Sequence, residues 1–155
     1  MSRCKVMAKV SYVLVIDVLK EVTISIKSLG TVIFEPGTYI YIGSANVKNP
    51  LARVLRHFKR NKRVKWHIDY LTSAPEARVT TAIVCYGLTE EAIYSTISQL
   101  EFVSVTVRGF GSTDCRKHAT HLFKLERRKC SIQHLVNLLS EQCKYVEVVA
   151  SYEDV

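Results

Sequence analysis

The stretch GTYIYIGSANVKNPLARVLRHFKRNKRVKWHIDYLTS, residues 37–73, joins a strand pattern to a strongly basic helix pattern. Tyr39 and Tyr41 alternate with aliphatic residues, which predicts a strand that carries both tyrosines on one face. A glycine and a serine, Gly43 and Ser44, follow at once and indicate a turn where another group can approach the backbone closely. The fold is therefore expected to place an aromatic strand directly before a cationic helix.

That helix is predicted to begin after Pro50, because apolar residues recur at helical spacing from there. Its apolar face consists of Leu51, Val54, Leu55 and Phe58. The remaining face is predicted to be exposed and cationic, and it carries Arg53, Arg56, His57 and Arg60. A further short helix is predicted in KWHIDYL, residues 65–71.

Basic residues crowd between positions 53 and 65, and no Asp or Glu interrupts them. They are Arg53, Arg56, Lys59, Arg60, Lys62, Arg63 and Lys65. With a formal net charge of +8, this run predicts a nucleic-acid-binding surface, because neutralising a polyanion releases its condensed counterions. The alternative is a solvated helix face followed by a basic linker.

The rest of the chain indicates alternating short strands and helices. Strands are predicted at 12–18 and 22–26, as a pair, and then at about 31–34, 38–42, 78–86, 103–107 and 121–125. Helices are predicted at 89–100, capped by Thr89, and after Ser131. An edge strand or an interaction segment is predicted to follow at 145–150. We expect an α+β domain over 1–155, with a small, mainly antiparallel sheet flanked by helices and a C-terminal helix and strand at 131–150.

Composition narrows the class of protein. A chain of 155 residues with 48% hydrophobic and 23% charged residues can bury a core and is expected to form one domain. Its apolar runs are too short to span a bilayer, and the first residues lack the apolar core of a signal peptide, so we expect a cytoplasmic protein. Five cysteines without a regular spacing favour reduced thiols over a disulfide framework.

A small anion-binding pocket is predicted where the strand and the helix meet. Tyr41, the Gly43 and Ser44 backbone, Arg53 and His57 could converge there, and such a pocket suits a phosphodiester. Hydrolysis of a phosphodiester needs a base for the attacking water and cations for the non-bridging oxygens. The alternative is a half-buried aromatic strand face beside a surface arginine.

Six segments together resemble a known family. They are SYVLVIDV, PGTYIYIGSA, LARVLRH, KWHIDYLTS, GFGSTDC and HLF, which run in this order between about residues 11 and 125. They resemble the Domain of Unknown Function 123 family, which is regarded as a relative of the GIY-YIG endonucleases and is mostly found in archaea. The resemblance implies a GIY-YIG-like scaffold.

The resemblance also implies catalytic residues, position by position. Tyr12 stands at the tyrosine of the GIY element, although the residues around it differ, and Tyr41 begins the YIG element that ends at Gly43. Arg53 stands at the helix arginine, and His57 at the tyrosine or histidine four residues later. In GIY-YIG enzymes a tyrosine is thought to help activate the water and the arginine to stabilise the phosphate.

A divalent metal, Mg²⁺ or Mn²⁺, is likewise implied, held in those enzymes by a downstream glutamate. Glu91 is the candidate ligand, with Glu90 beside it, and the alternative is that both acids complement the helix dipole. Asp114 is the nearest polar counterpart of an asparagine that closes the site in that family. His67 and Asp69 are accessory candidates for a metal site or proton relay, with a structural hydrogen-bonded pair as the alternative.

The leading hypothesis is a metal-dependent nucleic-acid phosphodiesterase, endonuclease-like, with DNA repair as a candidate setting. Its partner is expected to be nucleic acid, DNA rather than RNA, and not a membrane. The first alternative is a noncatalytic DNA- or RNA-binding module that uses the basic helix and the loop after it. A second alternative is a protein-interaction domain whose positive charge only serves to keep the protein soluble. The sequence does not fix the oligomeric state.

Overall fold

The computed structural model describes residues 9–112 and 118–151, which form an α+β fold. The strands are β1 Val10–Val18, β2 Val22–Ile26, β3 Gly30–Phe34, β4 Gly37–Ser44, β5 Ala77–Tyr86, β6 Val103–Val105, β7 Leu122–Leu125 and β8 Tyr145–Ala150. The helices are α1 Pro50–Arg56, α2 His67–Thr72, α3 Glu90–Ile97 and α4 Ile132–Ser140. The expected fold class, a small antiparallel sheet flanked by helices, is confirmed.

The main sheet of the described residues has six strands in the order β6-β7-β4-β1-β5-β8. Each neighbouring pair runs antiparallel. β1 pairs with β4 so that Tyr12 lies opposite Gly43 and Ser11 opposite Ser44. The start of β1 and the end of β4 therefore meet at the same end of the sheet.

The predicted pairing of strands 12–18 and 22–26 is wrong. β2 instead pairs with β3, from Val22 opposite Phe34 to Ile26 opposite Gly30, and the two form a separate ribbon. β1 cannot accept β2 because β4 and β5 occupy its two edges. The ribbon turns through Ser28 and Gly30, which both have positive φ angles, of 74° and 84°.

The two faces of the sheet bury different helices. Along β1, Tyr12, Leu14 and Ile16 belong to one core, which is completed by α1, α2 and the β2–β3 ribbon. Val13 and Val15 point the other way, into a core with the buried faces of α3 and α4. This alternation follows from the two-residue period of a strand, and it fixes Tyr12 on the α1 side.

Local helix signals in the sequence are confirmed. The side chains of Thr89 and Ser131 cap α3 and α4 as predicted, by accepting hydrogen bonds from the third backbone N–H beyond them. Asn49, which was not predicted as a cap, caps α1 in the same way. The short helix in KWHIDYL is present as α2, and β8 is an edge strand, as predicted. Among the described residues, no helix is long and apolar enough to cross a bilayer.

One prediction about α1 is wrong, since His57 does not lie on its exposed face. The helix ends at Arg56, and His57 is the C-cap residue, with only 1% of its surface exposed. The predicted apolar face is also wrong at Leu55, which is 41% exposed, whereas Val54 is fully buried. His57 follows Val54 by three residues and keeps helical backbone angles, so it points to the same buried side, towards β1.

The described cysteines agree with the prediction of reduced thiols. Cys85, Cys130 and Cys143 are free, and the first two are buried. Cys4 and Cys115 lie outside the described residues.

Candidate functional site

A polar pocket of about 180 Å³ opens at the end of the sheet where β1 begins and β4 ends. Its walls come from β1, β4, α1, the start of α2 and the start of α3. They consist of Tyr12, Tyr41, Gly43, Ser44, Arg53, Trp66, Ile68 and Glu90. The structure thus brings together six residues that the sequence analysis names, and it adds Trp66 and Ile68.

Gly43 lets Tyr12 occupy this position. A Cβ atom at residue 43 would overlap the phenol ring of Tyr12, which lies across the β4 backbone. The glycine of the YIG element therefore has a steric role, because any side chain there would push Tyr12 out of the pocket wall.

Tyr12 is hydrogen-bonded to His57 behind the pocket wall. The Tyr12 hydroxyl lies 2.8 Å from Nε2 of His57, and the two rings are 5.4 Å apart. Burial lowers the pKa of His57 to about 4, helped by the positive charge of Arg56 and opposed by Asp69. The imidazole is therefore neutral near pH 7, and in the tautomer with its hydrogen on Nδ1 it accepts a hydrogen bond from the Tyr12 hydroxyl through Nε2. Nδ1 is buried without a hydrogen-bond partner in the described structure.

Both pocket tyrosines are neutral phenols at rest. Burial raises the pKa of Tyr12, and Arg53 partly opposes this rise by favouring the phenolate. Burial likewise raises the pKa of Tyr41, and the negative charge of Glu90 adds to the rise. Neither phenol loses its proton unless a neighbour accepts it, and His57 is such a neighbour for Tyr12.

Arg53 and Arg56 have different surroundings, although both lie on α1. The Arg53 guanidinium lines the pocket, with its Cζ atom 5.5 Å from the centre of the Trp66 ring. Arg56 forms two hydrogen bonds of 2.9 Å with the carboxylate of Asp69. Of these two arginines, Arg53 is the one that faces the pocket.

Asp69 organises the segment around the pocket without lining it. Its carboxylate is fully buried, and besides Arg56 it accepts hydrogen bonds from the backbone N–H groups of Lys65 and Trp66, at 2.8 and 3.0 Å. Burial alone would raise the pKa of Asp69, but these hydrogen bonds outweigh it and lower the pKa overall.

His67 also lies away from the pocket walls. Its Nδ1 accepts a hydrogen bond from the Gly111 N–H at 2.9 Å, and its Nε2 lies 2.9 Å from the Ser28 hydroxyl. His67 thus connects the β2–β3 ribbon with the loop that contains Gly109 and Gly111. The third accessory candidate, Asp114, lies outside the described residues.

Glu90 is the carboxylate that lines the pocket, whereas Glu91 is exposed. Burial raises the pKa of Glu90, and its Oε2 lies 3.6 Å from Nδ1 of His121. The sequence contains the signal that separates the two acids. Glu90 precedes Ile93 by three residues and Ile97 by seven, so it shares their buried helix face.

The basic run does not form one continuous face around the pocket. Its exposed members are Lys59, Arg60, Arg63 and Lys65. Arg60 donates a hydrogen bond of 2.8 Å to the carbonyl of Ala77, which pairs with the last residue of β1 at the far end of the sheet. Lys62 contacts the Lys59 carbonyl, and burial lowers the pKa of its amine to about 8.

These features define an α+β protein with an arginine-bearing polar pocket at one end of an antiparallel sheet. A family model described as "Domain of unknown function DUF123" matches residues 11–144, and the chain belongs to that family. The family prediction made from the motifs is thereby confirmed. A search of curated proteins found no match, and a search of solved structures found none either.

The buried His57 predicts a pH dependence of stability. In the unfolded chain its pKa is near 6.5, and folding lowers the pKa to about 4. The unfolded state therefore binds the extra proton first, so stability is complete above about pH 6.5 and falls as the pH drops to about 4. The loss amounts to about 3 kcal/mol by pH 4.

Urea unfolding of wild type and His57→Gln between pH 4 and 7.5 measures this loss. Glutamine can still hydrogen-bond Tyr12 but does not titrate, so the variant should lose less stability on acidification. His134→Gln changes an exposed histidine and should follow wild type. If the free energy of unfolding fell equally with pH in wild type and in His57→Gln, the lost stability could not be assigned to His57.

Proposed function

We propose that this pocket cleaves phosphodiester bonds in nucleic acid, as a metal-dependent, endonuclease-like hydrolase. The observation that carries the proposal is the convergence of a phenol, a guanidinium and a carboxylate, from Tyr12, Arg53 and Glu90, on one pocket. The implied relation to GIY-YIG enzymes supports the same chemistry. We propose DNA rather than RNA as the substrate and the cytoplasm as the location.

The first step is phosphate binding. Arg53 supplies a fixed cation in a half-buried setting, where a charged hydrogen bond to a phosphate oxygen is stronger than in open water. The backbone of Gly43 and Ser44 carries no bulky side chain and allows a phosphate to approach closely. Arg53 also stabilises the extra negative charge that develops on the phosphorus-bound oxygens during attack.

The second step is activation of water by Tyr12. The attacking water gives a proton to the Tyr12 oxygen as Tyr12 passes its own proton to Nε2 of His57, at 2.8 Å. As hydroxide bonds to phosphorus, the opposite ester P–O bond breaks and the leaving oxygen takes a proton from solvent water. The phenol is neutral again, and His57 later gives its extra proton to solvent, so the net reaction consumes one water. His57 thus acts as a second base behind Tyr12, and its burial argues against direct contact with phosphate.

A divalent cation fits the pocket only in part. Glu90 offers one carboxylate, and Mg²⁺ is commonly bound by one or two carboxylates together with substrate phosphates. Among residues 9–112 and 118–151, no group of three or more His, Cys, Asp or Glu is arranged to hold an ion. Glu90 and the substrate would therefore hold the ion jointly, and when bound it would neutralise charge on the phosphate and the leaving oxygen.

A noncatalytic nucleic-acid-binding module is the second candidate. It is favoured by the same lack of a preformed group of three ligands in the described residues. Such a module would use the exposed cations Lys59, Arg63 and Lys65, and its affinity would fall steeply with salt.

Glu90→Gln and Glu91→Gln are matched variants for testing the enzyme. Both remove one negative charge at the start of α3, but only Glu90 lines the pocket. We expect Glu90→Gln to raise the Mg²⁺ concentration needed for half-maximal cleavage by at least about tenfold, and Glu91→Gln to behave like wild type.

The assay uses labelled DNA and a magnesium titration. Equal magnesium dependence in both variants would contradict a role for Glu90. Salt-sensitive binding with no cleavage in any protein, under magnesium or manganese, would favour the noncatalytic module.

A further inference from the structure

Trp66 is an exposed aromatic side chain in the wall of the pocket. It is the single tryptophan of the chain, and 40% of its surface is exposed. Tryptophan is highly buried on average in folded proteins, so an exposed indole beside a polar pocket calls for a reason. An indole offers a flat apolar face, and such a face can stack on a nucleobase.

Three cations lie over this ring, and 40% of the Trp66 surface stays exposed. The Arg56 guanidinium lies 4.8 Å from the ring centre and is fixed by Asp69 and by the Arg63 carbonyl, which accepts a hydrogen bond of 2.7 Å. Lys65 adds its amine at 6.0 Å from the ring centre. Because these cations lie around the ring, the indole is oriented before any ligand arrives.

Arg53, the proposed phosphate ligand, lies over the same ring. The Cζ atom of Arg53 is 5.5 Å from the centre of the Trp66 ring, and both side chains line one pocket. A nucleotide likewise carries a flat base a few ångströms from its phosphate. The pair Arg53 and Trp66 therefore matches the two ends of one nucleotide.

Resting on the proposed function, we propose that Trp66 stacks on an unpaired base whose neighbouring phosphate is bound by Arg53. The substrate class is then single-stranded nucleic acid, or a strand displaced from its duplex. In an intact duplex each base is stacked on both faces and cannot reach the indole. Duplex could still bind the exposed cations through its phosphates, but it would leave Trp66 uncovered.

Tryptophan fluorescence tests this directly, because the whole tryptophan signal comes from Trp66. Wild type is titrated at constant salt with a single-stranded oligonucleotide, the same sequence as duplex, and an abasic oligonucleotide of equal length. We expect quenching by the single strand, and little quenching by the duplex or by the abasic chain, which has the same phosphates.

Affinities of variants are measured by anisotropy of a labelled single strand. Trp66→Ala should weaken binding by about tenfold or more, whereas Trp66→Phe should retain most of the affinity because it keeps an aromatic face. Tyr145→Ala is the control, since Tyr145 is an exposed aromatic residue on β8 that does not line the pocket. Circular dichroism confirms that each variant is folded.

Two results would overturn the stacking role. If the abasic chain binds wild type as tightly as the normal single strand while Arg53→Ala abolishes binding, the pocket recognises phosphate alone. The proposed function would then stand without the stacking role. If no oligonucleotide binds wild type even at low salt, both proposals fail.

Discussion

Replacing Arg53 with alanine is expected to slow cleavage by roughly 100- to 1,000-fold at saturating substrate. The guanidinium lines the pocket beside Tyr12, and its charge opposes the rise that burial causes in the Tyr12 pKa. In the proposed mechanism, its removal takes away the cation that stabilises the phosphate during attack and makes proton loss from Tyr12 harder. Both changes act on the chemical step, so the loss should appear mainly in kcat.

Arg53→Lys and Arg128→Ala complete this experiment. Lysine keeps the charge but not the planar fork of donors, so an intermediate rate is expected. Arg128 is an exposed arginine in the segment beside Gly37, at the other end of β4, and its loss should leave kcat unchanged. If Arg53→Ala and Arg128→Ala had the same kcat, Arg53 would have no role in the chemical step.

Replacing Asp69 with alanine is expected to lower the free energy of unfolding by about 3–5 kcal/mol. The carboxylate is fully buried and is the shared acceptor for Arg56 and for the N–H groups of Lys65 and Trp66. Alanine would leave the Arg56 guanidinium without its partner and the start of α2 without an acceptor. The melting temperature should fall by about 10 °C.

Glu35→Ala is the matched control for this loss. It removes an exposed carboxylate whose distance to the Lys124 amine is 3.4 Å, and such surface pairs contribute less than about 1 kcal/mol. Urea denaturation followed by circular dichroism compares the variants. If Asp69→Ala were no less stable than Glu35→Ala, the buried carboxylate would not organise this region.

Local structure could largely be predicted from the sequence because its signals are local. Thr89 and Ser131 each stand just before a helix, and runs rich in β-branched and aromatic residues mark β1 and β4. The pairing of β1 with β4 and β5 could not be predicted, because a strand's own residues do not determine its partner. The error over β2 arose in this way.

The pocket could be predicted in part, for the same physical reason. Tyr41 stands out because strand periodicity and the motif match agree, and Tyr12 stands out through the motif match alone. Trp66 could not be placed at the pocket, since its position depends on how α2 packs against α1 through Asp69 and Arg56. The burial of His57 depends on which face of α1 packs against the sheet, and the apolar spacing that included Leu55 indicated a different face from the one that Val54 and His57 bury.

The most direct test of a phosphodiester-cleaving pocket is cleavage by purified wild type and by the Tyr12→Phe, Arg53→Ala double variant. Each is incubated with labelled single-stranded, duplex and branched DNA and RNA, with and without magnesium or manganese. We expect metal-dependent cleavage of DNA by wild type, at least about 100-fold faster than by the folded double variant. Equal cleavage by both proteins, or binding by wild type without cleavage of any substrate, would contradict the proposed chemistry.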